Sequence, residues 1–428
     1  MNTPKAALNR ASKQPEKTHI RLGFVALSDV APLAVAKILE FGHSHGLTLE
    51  LCRQPSWAAV RDKLLSGEID AAHALYGLVY GVQLGIGGPQ GDMAVLMVLN
   101  RNGQAITLSN PLAEALSKSG NLKEALASLG RPPVFAQTFP TGTHAMWLYY
   151  WLAALGVHPL RDIRSIVIPP PQMVDALAEG QLDGLCVGEP WNAVAEARHA
   201  GRTVAITSEI WPDHPEKVLA SRRDFVALYP NTARALVQTM LEACRWLDDP
   251  LHRADISTWL AAPELVGVPQ ESIAPRLLGD YGAAQFPVLP LPVSFFDKGA
   301  VNYPRPSDGL WFLTQYRRWG LLSGDQPDGA VSRGRRIGGR SRAGRDPRGR
   351  VGRWACLGRT RSRSLSRRVR HSCLTLWPRS SLAATATRRV SPRDGVAFIR
   401  PFACAFTRSF SALIPALIPA PIEKPLCP

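Results

Sequence analysis

Paired cysteines are missing from this sequence, and lysine all but vanishes from its last hundred residues. Cys52, Cys186, Cys244, Cys356, Cys373, Cys404 and Cys427 form no C-x-x-C pair and no zinc-like spacing. A disulfide framework and a metal site are therefore not expected, and a reducing compartment is. No apolar run reaches the roughly 18 residues needed to span a bilayer. The start, MNTPKAALNRASKQPEKTHI, is polar and basic, and the first hydrophobic run, Ile20 to Leu27, is soon broken by Asp29 and Pro32. It lacks the apolar stretch of a signal peptide and any lipid-attachable cysteine, so a cytoplasmic protein is expected. A true start further upstream would change that to a periplasmic or membrane-associated one. The glycines of LGIGGPQG (84–91) lack the spacing of either phosphate-binding fingerprint and read as a helix-ending turn.

Charge is just as unevenly placed. The net +16 would suggest a nucleic-acid or membrane partner if it covered the folded part. Residues 331–428 hold 22 of the 50 basic residues and 3 of the 34 acidic ones, so the preceding 330 carry 28 against 31, a net of −3. No direct nucleic-acid contact is expected from that part. Of the 22 basic residues in the tail, 21 are arginines, with Lys424 the exception, and no helical or strand period is sustained among them. Disorder is expected there. An out-of-frame reading of GC-rich DNA accounts for the composition; an arginine-rich RNA-binding arm is the alternative.

What is present is an alternation. Short apolar, β-branched runs such as IRLGFVAL, LTLELC and AAHAL alternate with amphipathic ones such as APLAVAKILEFGHSHG and WAAVRDKLLSG. The rhythm restarts near Ser109 and continues through PVFAQTF, THAMWLYYWLAALG, SIVIPP, QMVDALAEGQLD, GLCVGEP and TVAITSEI. Beyond Asp224 the pattern is mostly helical and ends in a tract with Trp311, Tyr316 and Trp319, expected to pack back onto the first lobe. The fold class is α/β with two lobes and a cleft between them, where strand ends and helix N-termini converge. The expected division is 1–18 as a disordered arm, 19–108 as the first part of lobe 1 and 109–222 as lobe 2. The segment 223–328 would complete lobe 1, and 329–428 is the disordered or frameshifted tail.

The cleft has candidate anion ligands. TFPTGTHAMW (138–147) reads as a strand end, a turn and a helix start, with Thr141 or Thr143 suited to cap the helix and free N–H groups aimed at the cleft. His144 in the first turn adds a donor, although the same pattern fits a plain cap with a surface histidine. Gln104 follows the Asn102-Gly103 turn and offers an amide. Trp57 could wall a small planar anion or fill the core, and Lys217 could supply charge or lie in solvent. Glu189, in CVGEPW, sits at a strand end, but no nucleophile or second carboxylate stands at readable spacing, so an interlobe structural role is expected and no catalytic residue is assigned.

Several long strings carry a resemblance. PSWAAVRDKLLSGEIDAAH, LNRNGQAITLS, TFPTGTHAMWLYYWLAALGVHP, PPPQMVDALAEGQLDGLCVGEPWN, IWPDHPEKVL and VNYPRPSDGLWFLTQYRRWGLL resemble, in order and from about Ile20 to Asp328, the nitrate- and bicarbonate-binding proteins of bacterial ABC importers. That resemblance implies a type II periplasmic-binding-protein fold, no enzymatic activity and no cofactor. It also implies a nitrate or nitrite site lined by Trp57, Gln104, Thr143, His144 and Lys217. The lysine is similar to the nitrate branch, whereas the bicarbonate branch carries an acidic residue and calcium nearby, so no metal is expected. With no export signal, the chain resembles most the cytoplasmic nitrate and nitrite sensors, which hold an RNA-binding antitermination regulator. A substrate-binding subunit of an ABC importer, with permease and ATPase partners, is the alternative.

Overall fold

The computed structural model describes residues 14–282 and 291–322. The tail from 329 onward lies outside them, as do residues 1–13 of the expected N-terminal arm. Among the described residues ten strands form two five-stranded sheets. The first contains β1 (His19–Phe24), β2 (Thr48–Arg53), β3 (Ala71–Leu75), β4 (Met93–Arg101) and β10 (Pro215–Arg222), in the order β2-β1-β3-β10-β4. The second contains β5 (Gln104–Ser109), β6 (Val134–Gln137), β7 (Arg164–Val167), β8 (Gly184–Gly188) and β9 (Gly201–Ile206), in the order β7-β6-β8-β5-β9. In each sheet four strands share one direction and the fourth in the row alone runs antiparallel to its neighbours. Helix-connected parallel strands are what the alternation in the sequence requires.

The chain therefore crosses between the lobes twice, at Asn102-Gly103 and between Thr207 and His214. Both crossings lie earlier in the chain than the 108/109 and 222/223 divisions read from the sequence, because β5 and β10 each join the sheet opposite to their immediate predecessor. The fully buried strand β3 shows why periodicity did not mark the face it presents: all five of its residues are buried.

Two apolar clusters form the core. One joins the helix Ala31–Ile38 to the long helix Pro230–Trp246 and to residues of β1 and β4. The other runs through both lobes and includes Trp57, Trp147 and Phe312. The tract carrying Trp311 and Tyr316 forms the helix Pro306–Arg318, and it touches both lobes instead of the first alone. Tyr316 Oη lies 2.6 Å from the carbonyl of Gly77 in lobe 1 and 2.7 Å from that of Thr141 in lobe 2, and Trp311 meets Trp147 at 4.5 Å between ring centroids. Residues 14–18, expected to belong to a disordered arm, are held in place. The Glu16 carboxylate accepts from the backbone N–H groups of Asn231 and Thr232 at the start of the helix Pro230–Trp246, and Lys17 Nζ reaches Asp70 at 2.6 Å.

Candidate functional site

The first crossing sets one wall of the cleft. Asn102 and Gly103 both have left-handed backbone, with φ of 59° and 89°, so the chain reverses and Gln104 opens β5 opposite Gly188. A Cβ at Gly188 would stand 2.6 Å from Gln104 Oε1, so glycine there leaves room for the amide. At the second crossing the register of β10 shifts on either side of Lys217. That irregularity lets two consecutive side chains, Glu216 and Lys217, reach the same buried cluster, where a regular strand would send them to opposite faces.

The helix Thr143–Ala154 supplies the facing wall. Neither threonine caps it, contrary to expectation: Gly142 is the N-cap and no side chain bonds the first turn. The Thr143 hydroxyl donates instead to Glu216 Oε1, and the Thr141 hydroxyl is buried without a hydrogen-bond partner. A buried carboxylate competes more strongly for a hydroxyl than a helix end does. Trp57 begins the helix Trp57–Ser66, whose cap is Ser56, accepting from the Ala59 N–H at 3.2 Å.

All five residues singled out from the sequence, Trp57, Gln104, Thr143, His144 and Lys217, are fully buried, and the structure brings them together in one cluster. His144 Nε2 is 2.8 Å from Gln104 Oε1, and its Nδ1 is 2.6 Å from Thr138 Oγ1. The amide oxygen can only accept, so Nε2 carries the proton and the threonine hydroxyl donates to Nδ1. Gln104 Nε2 then donates to Asp29 Oδ2 at 3.1 Å. Lys217 Nζ lies 2.7 Å from Asp29 Oδ2, 2.9 Å from Glu216 Oε1 and 5.8 Å from the centroid of the Trp57 ring. The surface histidine and the solvated lysine left open by the sequence are both ruled out.

Four partners escaped sequence reasoning: Asp29, His73, Trp147 and Glu216. His73 Nε2 meets Asp29 Oδ1 at 2.9 Å, and Trp147 Nε1 donates to Glu216 Oε2 at 3.0 Å. Glu216 was visible beside Lys217 in HPEKVL, and Asp29 as the residue that breaks the first apolar run. Nothing local marks the other two.

Burial and charge pull these groups apart. Burial drives the Asp29 carboxyl up, but Lys217 and His73 outweigh it and hold it well below the usual carboxylate range. Burial wins at Glu216, which is raised despite Lys217, Thr143 and Trp147. The Lys217 ammonium is disfavoured by burial, yet its two carboxylates raise it. Burial lowers His73, takes His144 well below the imidazole range, with Lys217 adding to the effect, and brings His214 down to about 3. Near neutrality the cluster thus holds the Lys217 ammonium against the ionised Asp29 carboxylate, with the three imidazoles neutral. Two of its polar atoms have no hydrogen-bond partner, Trp57 Nε1 and His73 Nδ1. An indole N–H can only donate, so it is open to an acceptor.

Away from this cluster the lobes meet at further points. The Ser28 N–H donates to the Glu189 carbonyl at 2.7 Å and Trp191 Nε1 donates to the Ala26 carbonyl at 2.8 Å. Arg276, on the helix Gln270–Leu278, bonds Glu196 and lies 3.6 Å from Glu189 Oε1. Burial pushes the Glu189 carboxyl up to about 7. A recess of about 420 Å³ is lined by Arg53, Gln54 and Pro55 from one lobe and Pro169, Pro171 and Gln172 from the other. Among the described residues no group of three or more His, Cys, Asp or Glu is placed to hold a metal ion.

The sequence and the fold can be compared with known proteins. The model of the NMT1-like family matches residues 13–261. The nitrate import ATP-binding protein NrtC of Synechocystis sp. is 41% identical over 315 residues, 72% of this chain, but the chain spans only 47% of that protein's length. The nitrate/nitrite binding protein NrtA of the same organism is 38% identical over 321 residues, 72% of each chain. The crystal structure of the periplasmic nitrate-binding protein NrtA from Synechocystis superposes with a TM-score of 0.70 at 36% identity, covering 74% of this chain and 86% of that one. The two-lobed α/β architecture is that of periplasmic binding proteins, and the chain belongs to the NMT1-like family.

Proposed function

We propose that this chain is the solute-binding component of an ABC-type importer and that it binds nitrate or nitrite between its lobes, with no catalysis of its own. The observation that carries the reading is the convergence of Lys217, His144, Gln104, Thr143 and Trp57 in one dry cluster contributed by both lobes. A small monoanion without protons to donate is held by donors and positive charge, and here these are an ammonium, an imidazole N–H, an amide and an unpartnered indole N–H. The relatives named above support the same ligand class, and they are importer components. The permease and ATPase of such an importer are the proposed partners. The reading as a sensor holding an antitermination regulator finds no counterpart among those relatives, so the importer reading is preferred. Residence follows the partner, outside the cytoplasm beside a permease and inside it with a regulator, and cell fractionation decides between them.

The test is a thermal-shift panel on the full chain with nitrate, nitrite, sulfate, and bicarbonate with and without calcium. Ligands that bind only the folded state raise Tm with concentration. Dose-dependent stabilisation by nitrate or nitrite alone is expected. A response only to bicarbonate with calcium, or to none of them, would remove the reading.

A further inference from the structure

Two buried carboxylates share one buried ammonium in this cluster, at 2.7 Å for Asp29 and 2.9 Å for Glu216. With both carboxyls ionised, one negative charge is left unbalanced before any ligand arrives. The imidazoles do not repair the deficit, since burial lowers His73, His144 and His214 and leaves them neutral near pH 7. An anion placed against Lys217 and His144 would bring the buried charge to minus two, in a place with little water to screen it.

The carboxyl such an anion meets is that of Glu216. Its Oε1 accepts from Thr143, lies 2.9 Å from Lys217 Nζ and is 3.6 Å from His144 Nε2, so it stands among three of the five residues of the anion reading. Asp29 is already committed to His73, Gln104 and Lys217. Of the other titratable groups, His214 just before β10 lies 3.8 Å from Oε2 and Cys186 on β8 interacts with Glu216, while His73 on β3 is held by Asp29 and Arg101 on β4 is paired with Asp308. None supplies a free positive charge.

We propose that the site takes up its anion together with one proton from solvent, which comes to rest on the Glu216 carboxyl. The new O–H donates to an oxygen of the anion, the entering pair carries no net charge, and Lys217 remains shared between Asp29 and the anion. Burial already favours the neutral carboxyl at this position. The proposal rests on the anion-binding reading above.

The test is calorimetric titration of the full chain with nitrate near pH 7 in phosphate and in Tris, which differ in ionisation enthalpy, and then across a pH series. About one proton taken up per nitrate is expected, with affinity falling up to about tenfold per pH unit above neutrality. In Glu216→Gln, which imitates the protonated carboxyl, the uptake and the slope should both disappear. Equal heats in the two buffers, with affinity flat in pH, would overturn the proposal. So would uptake that persists in a folded Glu216→Gln, because the proton would then sit elsewhere, for example on Glu189. Should that variant fail to fold, the buffer dependence of the native chain decides alone. Absence of any nitrate heat would instead remove the anion reading, and this proposal with it.

Discussion

The two lobes share one strand topology but contribute opposite chemistry to the cleft. The first lobe holds the charge, Asp29, Glu216 and Lys217, together with Trp57 and His73. The second provides neutral groups, Gln104, Thr143, His144 and Trp147, and three of them donate across the gap to carboxylates of the first. Closing the lobes therefore satisfies buried charge with fixed dipoles. An ion that enters needs donors from both lobes at once, which is how a small ligand can favour the closed form over the open one.

The largest expected effect comes from removing the cation of the charged lobe. Lys217→Met leaves two buried carboxylates without their ammonium and should destabilise the protein by about 3–5 kcal/mol, read from urea denaturation. A loss below about 1 kcal/mol would mean that the pair is not buried together.

Glu189 is the exception to the comparison, an ionisable group of the second lobe buried at the interlobe contact. Its carboxyl sits at about 7 when folded, against an ordinary value of 4.5. A carboxyl raised on folding contributes stability that is fully present below the ordinary value and is lost as pH rises through the folded one. Stability should accordingly fall between pH 4.5 and about 7 by up to about 3 kcal/mol, and Glu189→Gln should flatten that fall. Parallel denaturation profiles of the two proteins would show that Glu189 pays no burial penalty.

Neutral donors should matter for binding more than for folding. His144→Ala is expected to weaken nitrate binding by about 2 kcal/mol, near thirtyfold, with a smaller change in Tm than Lys217→Met. Trp57→Phe keeps an aromatic side chain and removes the five-membered ring with the N–H that lacks a partner. It should cost about 1 kcal/mol of affinity, roughly fivefold, and about 1 kcal/mol or more of stability, because the indole is fully buried in the core. If Trp57→Phe lowers stability but leaves nitrate affinity unchanged, the indole is a packing group and not a ligand.

Much of this was legible before the fold. The alternation of short apolar runs and amphipathic stretches marked most strands and helices, though not β4 or β10, and Asn102-Gly103 marked the turn that delivers Gln104. The ligand candidates were legible through the resemblance more than through local pattern, since a tryptophan opening a helix or a lone lysine reads as core or surface. What could not be read was pairing at long range. Asp29 and Lys217 are 188 residues apart, and only the return of β10 between β3 and β4 brings them together. The irregular register that turns both Glu216 and Lys217 inward is set by the sheet and has no local signature. The cap expected from Thr141 or Thr143 failed for the same reason, because the carboxylate that claims Thr143 lies 73 residues away.

The central claim is that both lobes close on a small anion held at Lys217. Isothermal titration of the full chain and of its Lys217→Glu variant with nitrate tests it most directly. Saturable heat in the native chain, weakened at least a hundredfold by a third buried carboxylate, is the expected result. Equal affinity in the two proteins, or no heat in the native chain, would contradict the account.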